Sequence, residues 1–385
     1  MVAETDGMKR LEARLRAERS MPLWALLALL APLACGTPPL NPSSSGRSQA
    51  PLGPVSFSGA RASQNLETLV DAGARGPGSE SAARAGAWIA EELEGLGARV
   101  EVWAGESAGS GSERAPIQAV VGFLDGESDD PLLLIARYDT LPSERDGRGP
   151  EDYAAAAGAA VVLELGRVLA EAPRPYSLGL IFLEGDGLAG GTAAAQVGPG
   201  EVAPRRFPGS HAAATELVAR QVIDQVRLAI FLGRLPGPRF VLERDLRSHR
   251  MYRETLWQTG RALEAGPVFA ASDGFSSPLA GHLAFLAAGL RPTVGLIGTR
   301  REGPGAASSG PAGSPDPGEL ATLGRVTLEA IDRISRRLGR IDAFAKSPLG
   351  GGGGEAGLGN TDSSPKAAGS GGDPVDASEW VPLGP

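Results

Sequence analysis

The chain is poor in the residues that carry most metal and redox chemistry. Its 385 residues include one cysteine and three histidines. One cysteine excludes an internal disulfide and any zinc cage built from thiolates. A basic surface is missing too: no run of Lys or Arg provides a nucleic-acid-binding face, and a net charge of -8 with a pI near 5.2 works against one. Nucleic acid is therefore excluded as a partner. The stretch "MPLWALLALLAPLACG" holds about a dozen apolar residues before Cys35, too few to cross and arranged like a secretory signal.

The one cysteine is placed informatively. Lys9, Arg10, Arg14, Arg16 and Arg19 precede the apolar run, and Cys35 closes it ahead of "GTPPLNPSSSG". A bacterial lipoprotein signal puts its acylated residue there, with a Pro/Ser/Gly tether after it. Leu33 and Ala34 suit that reading, and Pro32 departs from it; the alternative is a cleaved secretory signal with an incidental cysteine. The acidic Glu4, Asp6, Glu12 and Glu18 place the expected translation start at Met8 or Met21. The expected location is outside the cytoplasm, at a bacterial cell envelope, with a membrane anchor through Cys35. The expected organisation is a signal segment over 1–35, a flexible tether over 36–61, one domain over 62–345, and a Gly/Ser/Pro-rich tail over 346–385. The tail's composition buries too little apolar area to order itself.

Between tether and tail, strand and helix patterns alternate. Leu66, Leu69 and Val70 give one helix an apolar face, and "GARGPGS" then breaks the chain. A second helix is predicted from about Glu80 to Leu96, with Ala83, Ala87, Ile89 (or Trp88), Leu93 and Leu96 inward. "ARVEVW", "IQAVVGFL", "PLLLIARY", "YSLGLIFL", "RLAIFLG", "FVLERD" and "TVGLIG" read as strands. "AAAAGAAVVLELGRVLA", "ATELVARQVIDQV", "RETLWQTGRALEAG" and "ELATLGRVTLEAIDRISRRL" read as helices. Several strands are continuous apolar runs, the mark of a sheet covered on both faces. The expected fold class is α/β, a three-layer sandwich with a central mixed, mostly parallel sheet between helical layers. Such sheets bind ligands at the carboxyl ends of their strands. The tips to watch are Arg137–Thr140, Glu184–Gly187, Gly233–Leu235 and the segment after Ile297.

Five stretches in order resemble the zinc aminopeptidases of the co-catalytic two-metal type and their relatives, the glutaminyl cyclases. "ARGPGSESAARAGAWIAEELEGLGARVE" is similar to the family's opening Arg, Pro-Gly-Ser turn and helix. "PLLLIARYDT" resembles the strand ending His-x-Asp-Ser/Thr, and the Ala-rich helix resembles one entered through Asn-Asp-x-Ala-Ser-Gly. "LGLIFLEGDG" resembles the strand ending Asp-Gly-Glu-Glu. "AGHLAFLAAGLRPTVGLIG" resembles the Asp-His-x-x-Phe segment and the strand that follows. The resemblance implies a zinc-aminopeptidase-like sandwich and one or two zinc ions, with a Glu moving the proton.

Carried over residue by residue, the resemblance also implies that the metal is lost. The first His ligand falls on Arg137, a cation with no lone pair to give. The bridging Asp falls on Ala154, the general-base Glu on Asp186 and the metal-binding Glu beside it on Gly187. The next carboxylate falls near Gly233, and the stretch after Ile297, where a last His belongs, contains none. What survives is Asp139, Asp186 and His282. Arg137 is expected to replace the metal's charge among Asp139, Asp186 and a further acid such as Glu184 or Asp273.

Each remnant also has a plainer reading: Asp139 as a turn residue, Asp186 as a loop acid, His282 as a hydrogen-bonded, semi-buried core histidine. His211 and His249 read as surface residues. Ser276 and Ser277 do not make a nucleophile elbow, and the glycine runs are not phosphate loops. The leading expectation is a catalytically inactive, exported binding protein with no cofactor, holding a peptide or protein in the old cleft. The rival expectation is an active zinc aminopeptidase or glutaminyl cyclase; a third is a metal-free hydrolase.

Overall fold

Serines and an aspartate cap the starts of three helices. The computed structural model of the protein describes residues 56–107, 115–140, 147–187, 207–269, 275–300 and 313–346. Cys35, Asp273, the signal segment and the tail lie outside the described residues. Ser58 Oγ accepts the Arg61 amide at the start of α1 (Gly59–Asp71), and Ser79 does the same for α2 (Glu80–Gly95). There follow β1 (Arg99–Ser107), β2 (Ala115–Leu124), β3 (Pro131–Arg137), α3 (Pro150–Ala170), β4 (Ser177–Leu183), α4 (Pro208–Ala219) and β5 (Leu228–Leu232). Then come β6 (Phe240–Leu242), β7 (Arg244–Asp245), α5 (Arg250–Ala262), β8 (Phe275–Ser276), α6 (His282–Ala287), β9 (Thr293–Leu296) and β10 (Gly298–Arg300). The last helix, α7 (Pro317–Ala345), opens with Asp316 and Glu319 in a capping box.

Six strands form the central sheet in the order β1-β2-β4-β3-β5-β9. β4, β3, β5 and β9 run parallel, and β2 and β1 add antiparallel pairs at one edge. Because strand side chains alternate, each apolar run feeds two cores. Leu132, Leu134 and Ala136 pack with the core that holds α1, α2, α3, α5 and α7. Leu133 and Ile135 pack with Ala213 and Leu217 of α4 and Phe285 of α6 on the other face. The protein is thus the expected three-layer α/β sandwich around a mixed sheet. α3 has the length and hydropathy of a membrane span, but 83% of that window is buried, so it is a core helix. Gly158 lets it approach the end of β5 closely, since a Cβ there would meet the Leu232 carbonyl oxygen at 2.6 Å.

Three expectations need correction. The packed chain begins before residue 62: Phe57 is buried against Gly324 of α7, and the Ser58 amide donates to Glu164 (2.9 Å), so the last residues of the expected tether belong to the core. α2 buries the predicted Ile89 and Leu93 but turns different alanines inward. Ala82, Ala85, Ile89 and Leu93 face inward while Ala83 and Ala87 are exposed. Alanines gain too little by burial to fix a phase, and the larger Ile89 and Leu93 decide it. The helix expected over "ATELVARQVIDQV", α4, stops at Ala219, with Gln221 in the left-handed region just beyond it.

Candidate functional site

The carboxyl ends of β3 and β4 lie side by side, Arg137 opposite Leu183 in the parallel register. Beyond β3 the chain buries Tyr138, Asp139 and Thr140 completely. Asp139 is the centre of this tip. One carboxylate oxygen accepts the amides of Gly185 (2.9 Å) and Gly187 (2.6 Å) from the turn after β4. The other accepts Arg137 Nε at 3.2 Å, while Arg137 Nη2 donates to the Asp139 carbonyl at 2.9 Å. Burial pushes the Asp139 carboxyl up, and Arg137 with the two glycine amides opposes it.

The turn after β4 carries Asp186, also buried. Its two oxygens accept the Ser210 amide (2.9 Å) and engage the Ser210 hydroxyl (2.5 Å) at the start of α4. Burial, followed by the nearby Asp139 charge, raises its carboxyl to about 6. Gly281, just before α6, lies flat against this pair: a Cβ there would collide with Ser210 Oγ and Asp186. Gly187 is equally confined, because a Cβ would run into the Thr140 carbonyl and Asp139.

The expected charge cluster around Arg137 is smaller than predicted. Arg137 pairs with Asp139, while Asp186 is held by Ser210. Glu184 turns away altogether. It accepts the Gly78 amide (2.5 Å) ahead of α2 and the Tyr138 hydroxyl (3.2 Å), and burial raises its carboxyl. His282 turns the other way: its Nε2 lies 3.2 Å from Asp245 Oδ2, within ion-pair range but off the line of a good hydrogen bond. Burial pushes the Asp245 carboxyl up, yet His282, Ser248 and the Arg247 amide outweigh it and hold it below the usual range. His282 is wholly buried, not semi-buried. His249 is half-buried at the start of α5, stacked on Tyr252, rather than on the surface; His211 is exposed as expected.

A zinc ion does not fit the residues present at the carried-over positions. Ala154 and Gly233 have no donor side chain and are tied by backbone, Leu235 to the Ala154 carbonyl and Gly233 to the Leu296 carbonyl. Arg137 is a cation, Gly187 has no room for a side chain, and both oxygens of Asp139 and of Asp186 already have partners. Among the described residues no group of three or more His, Cys, Asp or Glu side chains is placed to hold a metal.

No family model matches the sequence, and no curated protein matches it. Solved structures do match the fold. A glutaminyl cyclase from an Acidobacteriales bacterium superposes with a TM-score of 0.61 at 20% identity, covering 76% of this chain and 100% of that one. A Zn-dependent exopeptidase from Parabacteroides distasonis gives a TM-score of 0.61 at 18% identity, with 72% and 99% covered. Porphyromonas gingivalis glutaminyl cyclase gives 0.59 at 19% identity, with 72% and 98% covered. The chain has the fold of the glutaminyl cyclase-like zinc exopeptidases, as the five stretches implied.

Three residues central to this region are not singled out as site residues by the sequence. Ser210 comes from a Pro-Gly-Ser-His stretch with no pattern linking it to Asp186. Asp245 of β7 approaches His282, and Ser248 holds Asp245, from a stretch that reads only as the end of a strand. Arg75 did appear, as the opening Arg of the resemblance, but its role is visible only in the fold: it is fully buried, and its amide and carbonyl pair with Thr140 Oγ1 and N at 3.0 Å each.

Proposed function

We propose that this chain is a zinc-exopeptidase fold without a working metal centre, acting by binding a peptide or protein at the bacterial cell envelope. The observation that carries this reading is the Arg137–Asp139 pair. A guanidinium occupies the strand tip where the resemblance expects a metal-binding histidine, and it engages the acid that would have oriented that histidine. Arginine suits such a place, since it stays charged and offers several donors in a fixed plane. The confinement of Gly187 supports the same reading, because the second expected ligand could not be restored there without moving Thr140.

The test is metal content and stability together. After dialysis the purified protein is expected to contain no stoichiometric zinc by elemental analysis. Arg137→His is expected to lower stability by about 1–3 kcal/mol near neutral pH, the cost of stranding a buried charged partner, in this case Asp139. Added zinc should not restore it. Stoichiometric zinc in the wild-type protein, or zinc rescue of the variant, would restore the active-enzyme reading.

The location rests on a separate feature. Cys35 closes the apolar run of the signal segment. A diacylated residue there would hold the protein on a membrane, because two chains anchor stably where one does so only marginally. Cys35→Ala is expected to move the protein from the membrane pellet to the soluble fraction on ultracentrifugation. A variant that still sediments with membranes would remove the anchor from the proposal.

A further inference from the structure

A second concavity lies at the opposite end of the sheet from the Arg137 tip. It runs between α7 and the segment that joins α3 to β4, and its volume is about 310 Å³. Leu132 and Leu178, at the amino ends of β3 and β4, form its floor; Leu169, Tyr176, Leu328 and Ile331 form its walls. Its charged groups stand among these walls. Arg174 holds the carbonyls of Asp125, Leu169 and Ala170, and Arg336 pairs with Asp332 one turn earlier on α7. Nothing in the zinc-exopeptidase reading uses this groove. A concave, mostly apolar surface with a few fixed polar groups is the usual form of a binding site.

The chain itself supplies a matching segment. α7 ends at Ala345, ten residues beyond Ser335 in the groove, which is about 15 Å along the helix axis. Residues 347–379 have a contour of roughly 100 Å at about 3.3 Å each, so the last residues of the chain can reach the groove with length to spare. Beyond Lys346, large apolar side chains are scattered except in "EWVPL", where Trp380, Val381 and Leu383 stand together. Charge matches as well. The groove's lining carries Arg174 and Arg336 against one acid, Asp332, while residues 367–385 carry Asp373, Asp376 and Glu379 and no Lys or Arg. Size also matches: a cavity of ~150 Å³ accepts benzene, and this groove has about twice that space for an indole with a neighbouring proline ring.

We propose that the C-terminal segment Glu379–Leu383 docks in this groove. Trp380 and Pro382 lie against the apolar walls, and Asp376 and Glu379 face Arg336 and Arg174. The contact needs little intrinsic affinity, because a tethered segment meets its site at an effective concentration in the millimolar range. The groove is then a self-recognition site that a competing acidic, aromatic peptide would open.

The test uses the full chain labelled with 5-fluorotryptophan, which puts a ¹⁹F reporter on each of its five tryptophans. Trp380→Phe assigns the resonance of interest, and a labelled peptide of residues 373–385 gives its free position. In the wild-type chain the Trp380 resonance is expected away from that position. Gly339→Phe fills the groove from a helix position where a Cβ meets nothing within 4 Å, and Arg336→Glu reverses a charge that is 62% exposed. Each should return at least half of the Trp380 signal to the free position, with Trp88, Trp103 and Trp257 unmoved as the control for folding. Excess unlabelled peptide should do the same in the wild-type chain. A Trp380 resonance already at the free position overturns the proposal, and so does a shifted resonance that neither variant moves, which would place the segment elsewhere. If Gly339→Phe disturbs the core resonances, Arg336→Glu and the competing peptide decide the question alone.

Discussion

Arg75→Met is expected to cost the fold about 3–5 kcal/mol, the largest loss from any single side chain considered for this protein. Arg75 is completely buried, and its guanidinium donates to backbone carbonyls. Its Nε donates to the Tyr138 carbonyl (2.8 Å), Nη1 to those of Leu69 (2.7 Å) and Gly73 (2.9 Å), and Nη2 to that of Asp152 (3.1 Å). One side chain therefore joins the end of α1, the tip of β3 and the first turn of α3. Burial lowers its pKa to about 10, with Asp152 and Asp139 opposing the shift, so it stays charged at neutral pH. Methionine fills much of the volume and supplies no donor, so the carbonyls of Leu69, Gly73, Tyr138 and Asp152 all lose their guanidinium partner, at about 1–3 kcal/mol for each one left unsatisfied. Lysine is not a substitute, because one ammonium cannot reach three directions from a planar fork. At about 2–4 °C per kcal/mol for a domain of this size, the thermal midpoint should fall by roughly 6–20 °C. A loss below about 1 kcal/mol in urea titration would mean that water replaces the guanidinium and that the clamp is dispensable.

That clamp also shows what was readable in the sequence. The sheet was legible because Leu132–Ile135 and Leu228–Leu232 are apolar runs that only a twice-covered strand accommodates. The Arg137–Asp139 pair was legible for the same local reason, since residues two apart on an extended chain share a side. What could not be read is what the fold brings together over distance. Ser210 meets Asp186 from 24 residues away, and Glu184 meets Gly78 from 106. Spacing carries no information about such pairs, so Glu184 was expected in the charge cluster when it serves the loop before α2 instead. His282 shows the converse. Its apolar surroundings announced burial, but its acidic neighbour Asp245 stands in another element.

Asp186→Asn is expected to stabilise the protein above pH 6 and to make no comparable gain at pH 4. Asp186 is buried, and its carboxyl is raised to about 6, chiefly by burial and then by the charge of Asp139. In the unfolded chain an aspartate titrates near ~3.9. The sign follows from proton binding: the folded state holds this proton more tightly than the unfolded state does. The stability it contributes is therefore fully present below about pH 4 and declines as pH rises through 6, where the folded carboxyl also ionises. A shift of about two units corresponds to a loss on the order of 2–3 kcal/mol between those limits. Asparagine has the same shape and no charge. Its carbonyl can accept the Ser210 amide and its amino group can donate to the Ser210 hydroxyl, so both contacts of Asp186 survive. Urea unfolding of both proteins at pH 4, 5, 6, 7 and 8 separates this from a general effect of substitution. The difference between variant and wild type should grow through pH 5 and 6 in the variant's favour and level off by pH 8. A constant offset across the series would mean that Ser210 and the surrounding amides keep Asp186 ionised at every pH, so that hydrogen bonding, not burial, governs this carboxylate.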